Sequence, residues 1–165
     1  MMLNIDSQIT AFMPEANISY DIISFSVYVI LFGAIAFFIY KKNISKIFQI
    51  AGGAAIAFLA AQITKIIVSR ERPNGFDVRS FPSQHTAFAF FLASVLPVTK
   101  KEERIALYGW AILVGLSRMV LLEHWFTDVL VGAVIGLGAG YLVNLNLIKE
   151  KANLANHFAH RRFAK

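Results

Sequence analysis

The stretch SRMVLLEHWFTD, residues 117–128, decides how the rest of the chain is read. It places Arg118, Glu123, His124 and Asp128 at the junction of two long apolar runs, Ile105 to Leu122 and Phe126 to Ile148. As helices rising about 1.5 Å per residue, runs of this length approach or exceed the roughly 30 Å of a bilayer's hydrocarbon core. Ionisable groups at such a depth are costly, and they persist where they face a bundle interior, pair with one another or serve a site.

Three further apolar segments precede this junction: Ile22 to Tyr40, Ile47 to Val68, and a shorter one from Ser83 to Val98 that ends at Pro97. The 165 residues are 57% hydrophobic, more than the roughly 45–50% of a soluble domain. Backbone groups in lipid must be satisfied within their own segment, which makes these segments helices rather than open strands. The expected fold is an all-α integral membrane protein with one domain over residues 1–165. Residues 21–148 form a compact bundle of about five transmembrane helices, and residues 149–165 form a basic tail. Residues 1–20 form an amphipathic interfacial helix, with Ile5, Ile9, Phe12 and Met13 at helical spacing and Asp6 and Gln8 elsewhere. No Lys or Arg occurs before Tyr20, so this segment lacks the basic start of a cleavable signal. In the tail, Leu154 and Phe158 mark one side of a second interfacial helix, on which His157 and His160 are exposed to solvent.

The absence of cysteine excludes disulfides and thiolate metal sites. The net charge of +6 does not indicate a nucleic-acid partner, because the basic residues are segregated. Eleven of the sixteen lie in the 41–46 and 100–104 loops and in the tail. The positive-inside rule puts those regions in the cytoplasm, and the chain becomes a multi-pass protein of the inner (cytoplasmic) membrane with a cytoplasmic C-terminus. Lys65, Arg70, Arg72, Arg79 and Arg118 fall on the extracytoplasmic side, against the rule, and so have another task. Gly132, Gly136 and Gly140, with Gly138 between them, give the last helix a smooth stripe for close packing inside the monomer. Nothing in the sequence sets an oligomeric state.

Three polar clusters meet at the outward helix ends: KIIVSRERP (65–73), SFPSQH (80–85) and the opening stretch. Lys65, Arg72 and Arg118 supply positive charge, and guanidinium forks match phosphate oxygens. The N-terminus of the third segment adds backbone N–H groups, and Ser83 adds a hydroxyl. His124 and Asp128, four apart, share a helix face. A carboxylate holding one imidazole nitrogen frees the other as a nucleophile, while His85 on another helix is placed to protonate a leaving oxygen. Arg70, Glu71, Asp77, Arg79 and Glu123 read as loop or rim charges. No metal-binding cluster stands out, and no cofactor is expected; positioning and fixed positive charge carry the catalysis.

The ordered pattern Lys65-x6-Arg72-Pro73, Pro82-Ser83-Gln84-His85 and Ser117-Arg118-x5-His124-x3-Asp128 resembles the type 2 phosphatidic acid phosphatase superfamily, across roughly residues 60–130. The resemblance implies a metal-independent lipid phosphatase that works through a phosphohistidine and uses water. His124 is then the nucleophile, Asp128 its partner and His85 the acid. Lys65, Arg72, Ser83 and Arg118 hold the phosphate, with backbone at the turn containing Gln84. Two departures stand out: Gln84 occupies a position where the family usually has Gly, and five apolar segments replace the six of many members. The expected substrate is a membrane lipid carrying a phosphate or pyrophosphate. Undecaprenyl pyrophosphate leads, and the lipid A 1-phosphate, phosphatidylglycerophosphate and phosphatidic acid are alternatives. Readings from other classes are a vanadium-dependent haloperoxidase and a non-catalytic lipid-binding or transport protein, which would not need the His124–Asp128 pair.

Overall fold

The computed structural model describes residues 5–163, with side-chain surroundings through residue 145. Its described elements are helices: α1 (Ile5–Thr10), α2 (Ile18–Tyr40), α3 (Ile44–Val68), α4 (Gln84–Val95), α5 (Lys101–Val120) and α6 (Phe126–Phe163). Their starts follow local chemistry. Asn17 Oδ1 accepts the Ser19 N–H at 2.9 Å, and Asn43 Oδ1 accepts that of Lys46 at 3.0 Å, so each asparagine satisfies a free donor at a helix N-terminus. Ser69, in the left-handed region at φ 45°, ends α3.

The exterior is apolar. Phe25, Val29, Phe32, Ile63, Val134 and Tyr141 are among the large side chains exposed around the bundle, a surface suited to acyl chains rather than water. The inward faces are built from small residues. On α3 these are Gly53, Ala54, Ala57 and Ala61, and the next rung of that stripe is Lys65. On α5, Ala111, Val114 and Gly115 lead to Arg118. On α6 a stripe of Gly140, Gly136 and Gly132 leads to Asp128. Each stripe thus delivers a charged residue to the same end of the bundle.

α4 is the central element and touches α2, α3, α5 and α6. The glycine stripe of α6 lies against it: a Cβ on Gly132 would meet the Ser83 carbonyl, one on Gly136 the Ala87 carbonyl, and one on Gly140 the Ser94 hydroxyl. Gly138 faces open space. Gly132, Gly136 and Gly140 therefore pack within the monomer, as expected.

Three described helices, α2, α3 and the Phe126–Leu145 part of α6, are long and apolar enough to cross a membrane. The sequence reading counted five. α4 has only 12 residues, about 18 Å at 1.5 Å per residue. α5 opens with Lys101, Glu102, Glu103 and Arg104 and carries Arg118 near its end, which leaves a short uncharged stretch. The interfacial helix is also shorter than expected. α1 covers six residues, Phe12 and Met13 lie beyond it, and Asp6 is buried against the bundle while Ile5 is exposed. The tail's side chains lie outside the described residues, and its backbone continues α6 to Phe163 rather than forming a separate helix.

Candidate active site

The site forms where α3 and α5 end and α2, α4 and α6 begin. After α5 the chain folds back on itself: Leu122 adopts φ 52°, and the Arg118 carbonyl accepts from Glu123 N at 3.1 Å and His124 N at 3.2 Å. A left-handed conformation costs a residue with a Cβ about 1–2 kcal/mol. Here it returns His124 over the end of α5, where the side chain is 3% exposed.

His124 Nδ1 lies 3.6 Å from Asp128 Oδ2. Burial drives the His124 pKa down to about 4, against the opposing pull of Asp128, and the charges of Lys65 and Arg118 add to the depression. The imidazole is therefore neutral at pH 7. Asp128 is completely buried and saturated with donors: Trp125 N at 2.8 Å, the Ser80 hydroxyl, and Arg70 Nη1 at 2.7 Å. Asp128 caps α6 and faces His124 at once. Its own carbonyl accepts the Ser83 N–H at 3.0 Å, which fastens the start of α4 to α6.

Each residue singled out by the sequence lies in or beside this cluster. Lys65 is buried and donates to the Arg79 carbonyl at 2.7 Å. Arg118 Nη1 donates to Ser24 Oγ at 2.7 Å. Arg72 pairs with Asp77 at 3.3 Å. Ser83 caps α4, its Oγ 2.8 Å from Thr86 Oγ1. Gln84 Oε1 accepts from Gln62 on α3 at 3.0 Å, so its side chain is tied to a neighbouring helix. His85 is packed edge-on against Tyr28 at 5.1 Å and Phe25 at 6.1 Å between ring centroids, and it lies within electrostatic range of Arg118, His124, Lys65 and Arg72. His85 Nε2, Arg72 Nε and Arg118 Nε are buried without a hydrogen-bond partner, which leaves two guanidinium donors and one imidazole nitrogen unspent inside a cationic cluster.

Two residues read as rim charges belong inside. Glu123 pairs with Arg72 and, at 3.6 Å, with Arg118 Nη2, so one carboxylate bridges both arginines. Arg70 joins Asp128 to Asp6 of α1, 2.6 Å from its Nη2. Burial raises the Asp6 pKa, but hydrogen bonds from Arg70 and Thr127 outweigh it, and the net shift is downward. The role of Arg70 was not available from local spacing, because Asp6 and Arg70 are 64 residues apart. The one hint was that Arg70 sits with the outward cations. Among the described residues no group of three or more His, Cys, Asp or Glu is placed to hold a metal ion.

The profile of the PAP2 superfamily matches residues 46–151, most of the chain and all three polar clusters. The chain belongs to the PAP2 superfamily. A curated relative, the lipid A 1-phosphatase of Porphyromonas gingivalis, is 38% identical over 82 residues, 47% of this chain. That match spans only 18% of the relative's length. The crystal structure of Aquifex aeolicus LpxE superposes with a TM-score of 0.73 over 86% of this chain and 95% of that one, at 22% identity, and so shares the fold.

Proposed function

We propose that this PAP2 protein is a metal-independent membrane lipid phosphatase with His124 as its nucleophile. The observation that carries the reading is the buried, neutral His124 facing Asp128 beside three cations and a second histidine. Lys65, Arg72 and Arg118, with the first turn of α4 at Ser83 and Gln84, receive the phosphoryl oxygens by charge and by backbone N–H groups. Asp128 holds Nδ1, and Nε2 of His124 attacks phosphorus in line. As the N–P bond forms, the P–O bond to the lipid breaks, and the leaving oxygen takes a proton from His85. A bound phosphate dianion favours the imidazolium form of His85 by opposite charge. Water then attacks phosphorus with His85 as base, releases phosphate and restores His124.

The lipid A 1-phosphate becomes the leading substrate, because the curated relative is a lipid A 1-phosphatase. Undecaprenyl pyrophosphate, first on the sequence reading, becomes the alternative. We place the site on the extracytoplasmic side of the inner membrane and the C-terminus in the cytoplasm, from the distribution of basic residues. In this arrangement α4, buried among its neighbours, and α5, on the periphery, complete five crossings with α2, α3 and α6.

The test is phosphate release in mild detergent with chelator present. Its panel is lipid A, undecaprenyl pyrophosphate, phosphatidylglycerophosphate and phosphatidic acid. Wild type should release phosphate, lipid A ranking first, and His124→Ala should lose turnover while still binding lipid. Equal release by His124→Ala sinks the mechanism. Vanadate should inhibit, whereas a haloperoxidase would be activated.

A further inference from the structure

Of the two outward cations that the phosphatase reading does not use, Arg70 and the exposed Arg79, Arg70 alone reaches Asp128. Its donors are already committed. Nη1 meets Asp128 Oδ1 at 2.7 Å and Thr127 Oγ1 at 2.6 Å, and Nη2 meets Asp6 Oδ2 at 2.6 Å. The guanidinium lies over the Trp125 ring, 5.4 Å from its centroid. Arg72 and Arg118, in contrast, each keep a buried Nε without a partner. A guanidinium spent on two carboxylates has little left for a phosphate.

Asp6 reaches the same place from the other end of the chain. Its Oδ1 accepts the Thr127 N–H at 3.0 Å, and its Oδ2 accepts the Thr127 hydroxyl at 2.8 Å. An anion from α1 thus caps the first turn of α6, where free N–H groups favour negative charge. The result is a continuous path from Asp6 through Arg70 and Asp128 to His124.

We propose that Arg70, held by Asp6, is a positioning residue for the phosphohydrolase reaction. It fixes the carboxylate that orients His124, and it makes docking of the N-terminal segment a condition of turnover. This rests on the reading of His124 and Asp128 given above. A carboxylate with Oδ1 anchored by Arg70 cannot rotate, so Oδ2 stays on the His124 side, shared with Ser80 and Trp125 N. Without the anchor, Asp128 turns within its pocket and His124 loses its alignment. The groups facing His124 from the other packed elements are Lys65 of α3, His85 of α4 and Arg118 of α5. These remain in place when Arg70 is altered.

The experiment compares wild type, Asp6→Asn, Arg70→Lys, Arg70→Gln, the Asp6→Asn/Arg70→Gln double variant and His124→Ala in detergent. Steady-state phosphate release from lipid A is measured, and the His124 pKa is read by 15N NMR of histidine-labelled protein. Arg70→Gln should lower kcat by roughly 100-fold, the cost of misplacing a reacting group by about 1 Å. KM should stay within about twofold, because ground-state phosphate binding is untouched. Arg70→Lys should fall between, Asp6→Asn should lower kcat in the same direction, and the double variant should be no worse than Arg70→Gln alone, since the two act through one path. In Arg70→Gln the His124 pKa should rise, because Asp128 is released from a competing cation.

A rise in KM alone makes Arg70 a phosphate ligand and overturns the proposal. Multiplying effects of the two substitutions, or an unmoved His124 pKa, overturns it as well. If wild type releases no phosphate while the His124 pKa still responds to Arg70, the functional reading fails and the positioning path stands.

Discussion

Replacing Gly132 by alanine tests how tightly the two halves of the site are clamped. A Cβ at this position overlaps the Ser83 carbonyl and comes within 3.2 Å of Thr86 Cβ. The obstacle is backbone, so no rotamer change relieves it, and α4 must retreat from α6 by roughly 1 Å to reach ordinary contact. Overpacking of this kind costs about 1–3 kcal/mol. The gain in helix propensity from glycine to alanine returns up to about 1 kcal/mol. The net loss of stability is therefore modest, about 0–2 kcal/mol. The effect on turnover is larger. Ser83 is joined to Asp128 by the 3.0 Å backbone hydrogen bond, and His85 follows two residues later. A shift of about 1 Å between the nucleophile on one helix and the acid on the other costs roughly 100-fold in rate. Phosphate release and thermal unfolding of the same preparation give both quantities. Gly136→Ala meets the Ala87 carbonyl and Phe91 N at 2.9 Å, one turn further from the chemistry. It should lose similar stability with a smaller loss of kcat. Gly138→Ala meets nothing within 4 Å and should leave kcat unchanged while raising stability by up to about 1 kcal/mol. Equal kcat losses at 132 and 136, or wild-type kcat in Gly132→Ala, would refute the clamp.

Other outcomes follow from the electrostatics. Because burial sets the His124 pKa at about 4, below the ordinary value of roughly 6.5, kcat/KM should hold down through pH 5 and fall only as pH drops through about 4; an acid limb near the ordinary value contradicts the burial. The same shift means that the unfolded chain binds this proton first, so His124's contribution makes stability decline as pH falls from about 6.5 to about 4 and then level off, a trend checked by denaturation with His124→Ala as reference. Glu123→Gln removes the carboxylate shared by Arg72 and Arg118. A partly exposed pair is worth up to about 1 kcal/mol, so inhibition by inorganic phosphate should tighten by up to roughly fivefold; weaker inhibition means that Glu123 aligns the arginines instead of competing with the phosphate.

The helical architecture was legible because lipid imposes strong rules on composition and length. Apolar runs predicted α2, α3, α4 and α5 to within about four residues, and the start but not the end of α6, and the motif spacing collected Lys65, Ser83, His85, Arg118, His124 and Asp128 at one end of the bundle. What escaped depended on tertiary contact. Glu123 has the sequence context of a loop charge, and only the turn at Leu122 folds it onto two arginines. Asp6 reads as the polar side of an interfacial helix, yet that side docks on the protein, because Arg70 and Thr127 are there to receive it. α4 and α5 fall outside the three long apolar helices for different reasons: α4 has 12 residues and is surrounded by protein, and α5 carries charge at both ends.

The shortness of α4 has a consequence for how the chain enters a membrane during synthesis. A 12-residue helix covers little more than half of a hydrocarbon core of roughly 30 Å. Its final carbonyls, at Ala93 and Leu96, are closed by Arg104 from the start of α5. α4 is thus a poor insertion signal on its own and leaves polar ends that only its successor satisfies. Its stable membrane residence waits for α5 to supply the arginine and for α6 to supply the glycine face. The catalytic end of the molecule is consequently the last part to mature: a ribosome stalled before α6 would hold a chain with Lys65, His85 and Arg118 already made but without Asp128 and the glycine face against which α4 packs.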